Sequence, residues 1–320
     1  MNSEDEQELE NFANEKENEL VDKYKFLITQ NLFYIRDGLV QIRNWLSNFI
    51  DVREKIVALF VLENLVFRNF EMLEKAMMRV LIKDIKNIYE KIHNKNYDIF
   101  TWLHHLKYSK NYLNIKFIAV DKSAITQSSA VVARRFGNLV NACYMAQNDE
   151  HIESALKNNS LIIYIDDFLG SGKQFGDFLG NKIYNLSNFT NSNSHHIYTP
   201  ILAMTKGIDF INKNHQMINI IPSETIKLDQ SLFNQDALDS FFDKISIPRE
   251  EMHITLMNIC SRYGLNKSSW LGWENAMLSV IFEWGCPNQT IKLIHHEQNS
   301  TALLTNKKAL TYYPLASRRA

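Results

Sequence analysis

Residues 161–174 read LIIYIDDFLGSGKQ, and this stretch decides both the fold class and the candidate site. Its first five residues form an unbroken apolar run, which is typical of a strand buried on both faces of a parallel sheet. Asp166 and Asp167 follow directly, and a glycine-rich turn then leads into a helical pattern. A strand that ends at two acids, followed by a turn and a helix, predicts one unit of an α/β sheet. Ligands of such sheets bind beyond the carboxyl ends of the strands.

The letters GSGK in this turn do not form a triphosphate-binding loop. That loop requires glycine where Asp167 stands and serine or threonine where Gln174 stands. Another phosphate chemistry fits better, because glycines at the start of a helix let backbone N–H groups surround a monophosphate. Asp166 and Asp167 can accept hydrogen bonds from ribose hydroxyls, directly or through hydrated Mg²⁺. The pattern predicts a pentose-phosphate site, although the same residues would also serve as a plain link between strand and helix.

The rest of the chain supports an α/β fold with helices before it. Apolar runs typical of strands occur at 114–120, 196–204 and 217–221, with helical patterns between them. This alternation predicts a doubly wound, mainly parallel sheet. No glycine or proline occurs from Leu39 to Ser109, where apolar residues recur at helical spacing. We expect an acidic tail or helix over 1–24, a helical module over 25–110, and the α/β domain over 111–320.

Composition limits the classes of function. The chain has 320 residues, is 45% hydrophobic and carries a net charge of −1, so it can bury a core but offers no bulk attraction to nucleic acid. Its longest apolar run, IVALFVL at 56–62, is too short to span a membrane. The three cysteines form no CxxC pair, which is typical of buried thiols. We expect a cytoplasmic protein that does not bind membranes or structural zinc.

The stretch 161–174 resembles the signature by which type I phosphoribosyltransferases bind phosphoribosyl pyrophosphate (PRPP). The resemblance implies their fold, PRPP or a nucleotide as substrate, and Mg²⁺ as cofactor. It also implies that Asp166 and Asp167 are catalytic and metal-binding. Most members have Thr or Ser where this chain has Gln174. The residues implied to bind the ligand through the turn are Gly170, Ser171, Gly172, Lys173 and Gln174.

The same resemblance implies a second loop. In such enzymes the loop after the strand at 114–120 approaches pyrophosphate. Lys122 is the catalytic candidate in this loop, and Ser123 is the candidate for ligand binding.

More of the chain resembles a narrower group, the phosphoribosyltransferase-like proteins of bacterial anti-phage defence loci, including retron operons. DDFLGSGKQ (166–174) and LGWENAMLSVIFEWGCPNQT (271–290) carry this resemblance, and in that group the second segment is a helix leading into a Pro-Asn-x-Thr turn. Residues 42–67 resemble the winged-helix-like module of that group. The resemblance implies an antiviral, toxic effector that alters nucleotides or nucleic acid. Its implied partners are the retron reverse transcriptase and its msDNA or noncoding RNA, which hold it inactive.

Two alternatives to an enzyme stay open. The first is a non-catalytic module that senses PRPP or a nucleotide and docks on a reverse transcriptase–msDNA complex. A sensor would return its ligand intact, whereas an enzyme would consume it. The second is a DNA-binding adaptor built on the N-terminal helices, which predicts salt-sensitive DNA affinity in residues 1–110 alone.

Overall fold

A computed structural model of the chain describes residues 3–120, 128–186, 189, 192–227, 231–232, 241, 249–263, 270–295 and 312–316. The chain divides into two compact units. The first comprises Met1–Asn69 and Asp229–Arg319, and the second comprises Phe70–Leu228. Among the described residues, no helix is both long and apolar enough to cross a bilayer.

The described elements follow one another along the chain. The α-helices are α1 (Ser3–Thr29), α2 (Leu39–Leu46), α3 (Val52–Glu63), α4 (Phe70–Val80), α5 (Lys86–His93), α6 (Ile99–Tyr108), α7 (Ser128–Gly137), α8 (Asp149–Lys157), α9 (Lys173–Phe178), α10 (Thr205–Asn214), α11 (Arg249–Arg262) and α12 (Lys292–His295). Short π-helical stretches continue two of them, Leu81–Ile85 after α4 and Leu179–Ile183 after α9. The strands are β1 (Val66–Arg68), β2 (Ile115–Ala119), β3 (Leu161–Leu169), β4 (His195–Met204), β5 (Ile218–Ile220), β6 (Glu224–Ile226) and β7 (Val280–Phe282).

The second unit is built on a five-stranded sheet in the order β2-β3-β4-β5, with β6 pairing with the later part of β4. Every pairing in it is parallel. Parallel neighbours need crossover connections, and here the connections carry helices. The four predicted strand runs are present and the parallel α/β fold class is confirmed.

Helices cover both faces of this sheet. On one face Tyr164 and Tyr198 join a buried cluster with residues of α8, α9 and α10. On the other face Ile163 and Ile165 line a small apolar cavity together with Met77 of α4 and Phe136 of α7. The first five residues of β3 are all apolar because both faces of the strand are covered, as the sequence indicated.

The first unit is mainly helical. The hydroxyl of Tyr24 in α1 donates a 2.7 Å hydrogen bond to the Leu62 carbonyl at the end of α3. The indole of Trp45 donates to the Leu293 carbonyl at 2.8 Å, which fastens α2 to α12. Strands β1 and β7 pair in parallel, with Val66 opposite Val280. Residues more than 200 positions apart therefore share one core.

The N-terminal segment is a helix and not a loose tail. Helix α1 is acidic on its exposed side, yet it buries a stripe of four residues. Because these positions lie one turn or several turns apart, they fall on one face of the helix. The buried stripe comprises Leu9, Ala13, Leu20 and Tyr24.

The compact units divide the chain after residues 69 and 228, whereas the division expected from the sequence lies near residue 110. Helix α6 shows why the structural division differs. Its Trp102 indole donates to the Leu81 carbonyl at 3.0 Å, and its Leu106 carbonyl accepts from the Asn141 N–H at 2.7 Å. These contacts place α6 in the same unit as the parallel sheet.

Candidate active site

The two acids lie within strand β3 and not after it. Asp166 is in register with Pro200, and the pairing with β4 continues through Leu169 opposite Ala203. The expectation that the strand ends at the acids is therefore wrong. Strand β4 is ten residues long and apolar to its end. Continuing β3 beside it buries Phe168 and Leu169, which stabilises the longer strand. The acids still lie in the last four residues of the strand.

Both acids are withdrawn from solvent. Asp166 is 3% exposed and Asp167 is 2% exposed. One carboxylate oxygen of Asp166 (Oδ1) accepts a 2.9 Å hydrogen bond from the Asp167 N–H. The other oxygen (Oδ2) accepts a 2.9 Å hydrogen bond from the hydroxyl of Tyr198, which is itself fully buried. Asp166 is therefore held in one orientation from both sides.

The electrostatics of this pair favour positive charge or hydrogen-bond donors. Burial raises the pKa of Asp166 well above its ordinary value, and the neighbouring Asp167 raises it further, while the hydrogen bond from Tyr198 acts in the opposite direction. Burial and the nearby Asp166 also raise the pKa of the Tyr198 hydroxyl. A ligand that brought hydroxyl groups or a cation to the acids would stabilise their ionised form.

The predicted turn follows the strand directly. Gly172 has a φ of +85°, a left-handed conformation that favours glycine, and its carbonyl accepts the first helical hydrogen bond from Gly176 at 2.9 Å. Gly170 and Gly172 are buried, whereas the side chains of Lys173 and Gln174 face solvent. The glycine backbone of the turn therefore lies in the protein interior, and two polar side chains at the start of α9 lie on the surface.

The turn is packed tightly against the start of α10. A Cβ atom on Gly207 would lie 2.3 Å from the Gly170 carbonyl oxygen, and one on Gly172 would lie 2.7 Å from Cδ1 of Phe210. Both distances are too short for real contacts. The close approach of these two backbones thus depends on glycine in the turn and on glycine in the first turn of α10.

A stacked aromatic pair connects the helix after the turn to the acids. The ring of Phe175 in α9 lies parallel to that of Tyr198, with 3.7 Å between the centroids. Tyr198 in turn donates to Asp166. The acid, its donor and the helix that follows the turn therefore form one packed assembly within this unit.

Sequence reasoning missed Tyr198 and Gly207. Tyr198 reaches Asp166 through the register between β3 and β4, which no local pattern reveals. Gly207 did leave a signal, since a glycine inside a helical pattern after a strand often marks a close approach of two backbones.

The described residues do not provide a complete metal site. No group of three or more His, Cys, Asp or Glu side chains among them could hold an ion. Mg²⁺, however, commonly binds through one or two carboxylates and completes its shell with water and substrate phosphates. Asp166 and Asp167 are suited to supply these one or two carboxylates. The candidates Lys122 and Ser123 lie outside the described residues.

The second resemblance segment, 271–290, lies in the first unit and is not the expected helix. It contains a short 3₁₀ turn at Trp273–Asn275 and strand β7, because Glu274 and Met277 have positive φ values that interrupt any helix. Its Pro-Asn-x-Thr turn is closed by the Thr290 N–H, which donates to the Pro287 carbonyl at 3.0 Å.

Comparison with known proteins agrees with this fold class. A search of curated proteins found no match to the chain. The sequence profile of the PRTase-CE family, a phosphoribosyltransferase-like family, matches residues 42–318, which is most of the chain. The chain therefore belongs to the PRTase-CE family.

Proposed function

We propose that the protein is a phosphoribosyltransferase-like enzyme that binds PRPP or a nucleotide together with Mg²⁺. The observation that carries this proposal is the assembly of the buried acids of β3 with the glycine turn that follows. In the proposal, Asp166 and Asp167 accept hydrogen bonds from the ribose and contribute to the shell of Mg²⁺. The turn from Gly170 to Gln174 takes the 5′-phosphate.

The proposed division of roles follows from the chemistry of the groups. Vicinal sugar hydroxyls are donors, and buried carboxylates lacking solvent are strong acceptors for them. Backbone N–H groups near the start of α9 suit a phosphate, and the exposed Lys173 adds positive charge beside them. Pentosyl transfer passes through a positively charged sugar, so positioning and electrostatic stabilisation would supply the catalysis without a protein nucleophile.

In the cell, we propose that this activity makes the protein a growth-arresting effector of an anti-phage, retron-type system. The support is the resemblance of 166–174, 271–290 and the winged-helix-like residues 42–67 to such proteins, together with family membership. The proposed partners are a reverse transcriptase and its msDNA. If this is correct, the free protein arrests growth, and Asp166→Asn with Asp167→Asn abolishes the arrest at equal protein level.

The direct test is calorimetric titration of the purified protein with PRPP, with and without Mg²⁺. We expect Mg²⁺-dependent binding in the native protein and none in the Asp166→Asn/Asp167→Asn variant. Asp177→Asn is the matched control, because Asp177 is an exposed acid of α9 and should leave binding unchanged. Equal binding by all three proteins, or by none, would contradict the proposed sugar-phosphate site.

A sensing role is the second candidate. The observation that favours it is that both oxygens of Asp166 already accept hydrogen bonds within the protein. An acid held in this way is preorganised to recognise a ligand, whether or not that ligand then reacts. Phosphorus NMR of PRPP incubated with the protein, Mg²⁺ and candidate acceptors separates the two roles: release of pyrophosphate supports the enzyme, and intact PRPP at saturation supports the sensor.

A further inference from the structure

Helix α6 in the second unit exposes a row of rings to solvent. Phe100 is 85% exposed and Tyr108 is 70% exposed, and the exposed His104 lies between them. These residues are at positions i, i+4 and i+8, so they form one stripe along the helix. The rings of His104 and Tyr108 are 5.5 Å apart between centroids. The opposite side of α6 supplies the buried contacts of the unit through Trp102 and Leu106.

A second row of rings lies beside this stripe. His105 stacks on Tyr112 with 3.8 Å between centroids and 14° between the ring planes. Tyr97 packs edge to face against His105, with 5.7 Å between the ring centroids. The ammonium of Lys95 lies over the Tyr112 ring, 5.7 Å from its centroid. The two rows together give a surface of exposed and half-buried rings.

The chain segment that supplies these rings, residues 91–112, carries an excess of positive charge. Lys91, Lys95 and Lys110 are exposed, whereas Lys107 is half-buried and donates to the Asn138 carbonyl. From 91 to 112 the sequence contains one acid, Asp98. Its carboxylate accepts hydrogen bonds from the backbone and hydroxyl of Thr101, as the N-cap of α6. A local excess of lysine thus stands out on a chain whose net charge is −1.

We propose that this aromatic–basic face, defined by Lys95, Tyr97, Phe100, His104, His105, Tyr108, Lys110 and Tyr112, binds single-stranded nucleic acid. Unpaired bases would stack on the exposed rings, and the lysines would contact the phosphates. Both kinds of contact are those by which proteins bind single strands without sequence preference. In a duplex the bases are already stacked inside, so a single strand would bind more tightly.

The positive charge of the aromatic–basic face argues against a second copy of the chain as its binding partner. A symmetric contact of this face with itself would bring the same lysines into opposition. Like charges placed opposite each other cost free energy, whereas a polyanion removes the repulsion. This face is independent of the proposed sugar-phosphate site, because the acid pair and the turn are other residues of the same unit.

The test uses the full-length protein and fluorescein-labelled 20-nucleotide oligothymidylate, oligouridylate and a mixed-sequence duplex, followed by fluorescence anisotropy. We expect the single strands to bind at least about tenfold more tightly than the duplex. We expect Phe100→Ala/Tyr108→Ala to weaken single-strand binding by at least about tenfold, because two stacking surfaces are lost. The plot of log K against log salt has a negative slope, and Lys95→Glu/Lys110→Glu should reduce the magnitude of that slope by about 1.4, as expected for the loss of two phosphate contacts.

Matched control variants distinguish binding by this face from a general effect of losing exposed rings or positive charge. Phe26→Ala/Tyr34→Ala removes two rings that are each 61% exposed in the first unit, and Lys25→Glu/Lys213→Glu makes the same change of net charge with other exposed lysines. Both controls should bind as the native protein does. Absence of single-strand binding, or equal losses in the face variants and the controls, would overturn the proposal. Self-association that Phe100→Ala/Tyr108→Ala abolishes, without single-strand binding, would also overturn it and identify a contact between copies.

Discussion

Two regions of the second unit present opposite combinations of polarity and exposure. At the end of β3, two carboxylates lie buried at 2–3% exposure, with Asp166 hydrogen-bonded on both oxygens. On α6, the aromatic–basic face holds large rings in water, one of them 85% exposed. Folding alone would favour the reverse, because burying charge is costly and exposing rings forgoes the hydrophobic effect.

The difference shows how each region can be recognised. The acid pair is already conspicuous in the sequence, as two acids between an apolar run and a glycine turn. The aromatic–basic face is conspicuous only in structure, because the sequence does not show which rings of a helix lie outside. In both regions, residues that make folding harder are the ones to examine for a ligand.

Near the acids, the largest expected effect tests how rigidly the turn is held. Gly207→Ala places a methyl group 2.3 Å from the Gly170 carbonyl oxygen, so one backbone must move. We expect the free energy of unfolding to fall by about 1–3 kcal/mol in denaturant titration. Gly180→Ala is the control, since nothing lies within 4 Å of a Cβ there, and it should raise stability by about 0.5–1 kcal/mol. Similar losses in both would show that the turn is not tightly packed.

The next effect concerns the donor to the buried acid. Tyr198→Phe removes the hydroxyl that donates to Asp166 and leaves a buried carboxylate oxygen without this partner. We expect a loss of about 1–2 kcal/mol in the free energy of unfolding. Tyr108→Phe makes the same change in the exposed region and should leave stability unchanged. Equal stability of the two variants would mean that the hydrogen bond does not hold the acid.

The pH dependence of stability reports the raised pKa of the buried Asp166. The pKa of Asp166 is raised in the folded protein above its ordinary 3.8. The folded state therefore holds this proton more tightly than the unfolded state, so the contribution is fully present below about pH 4. It is lost as the pH rises through the folded-state pKa, by up to about 1.4 kcal/mol per pH unit for one proton.

Asp166→Asn isolates that contribution, because the amide does not titrate. Relative to the native protein, the variant should gain stability steadily as the pH rises above about 4, in denaturant titrations at a series of pH values. Parallel curves for the two proteins would show that Asp166 titrates equally in the folded and unfolded states.

The smallest expected effect belongs to the aromatic–basic face. Phe100→Ala/Tyr108→Ala should change the free energy of unfolding by less than about 0.5 kcal/mol, because the rings make few contacts on folding. Leu106→Ala on the same helix should cost about 2–5 kcal/mol, since Leu106 is fully buried. A large loss in the exposed double variant would mean that these rings serve the fold and not a ligand.

Local patterns predicted the parts of the fold that depend on local chemistry. The apolar run at 161–165 and the glycines after it predicted the strand and the turn, since both depend on neighbouring residues. The extension of β3 through Phe168 was missed because it depends on the length of β4, its partner. Tyr198 was missed for the same reason, as its position opposite the acids is a matter of register.

Pairing between distant parts of the chain was a second feature that the sequence did not predict. Nothing near Val66 indicates that β1 pairs with β7, because its partner Val280 is more than 200 residues away. On α6, the sequence contains the neighbouring histidines His104 and His105. Their place among exposed rings became visible only when the buried side of the helix was known.

The divided first unit has a consequence for the order of events during synthesis. About 160 residues separate its two stretches, so at ordinary translation rates its N-terminal part waits on the order of 10 s for the rest. During that time the apolar run of α3, from Ile56 to Leu62, lacks the later residues of its core. The second unit is continuous and can form while the ribosome is still working. We therefore expect the nascent chain to fold from its middle outward, with its first 69 residues the part that most needs protection by chaperones.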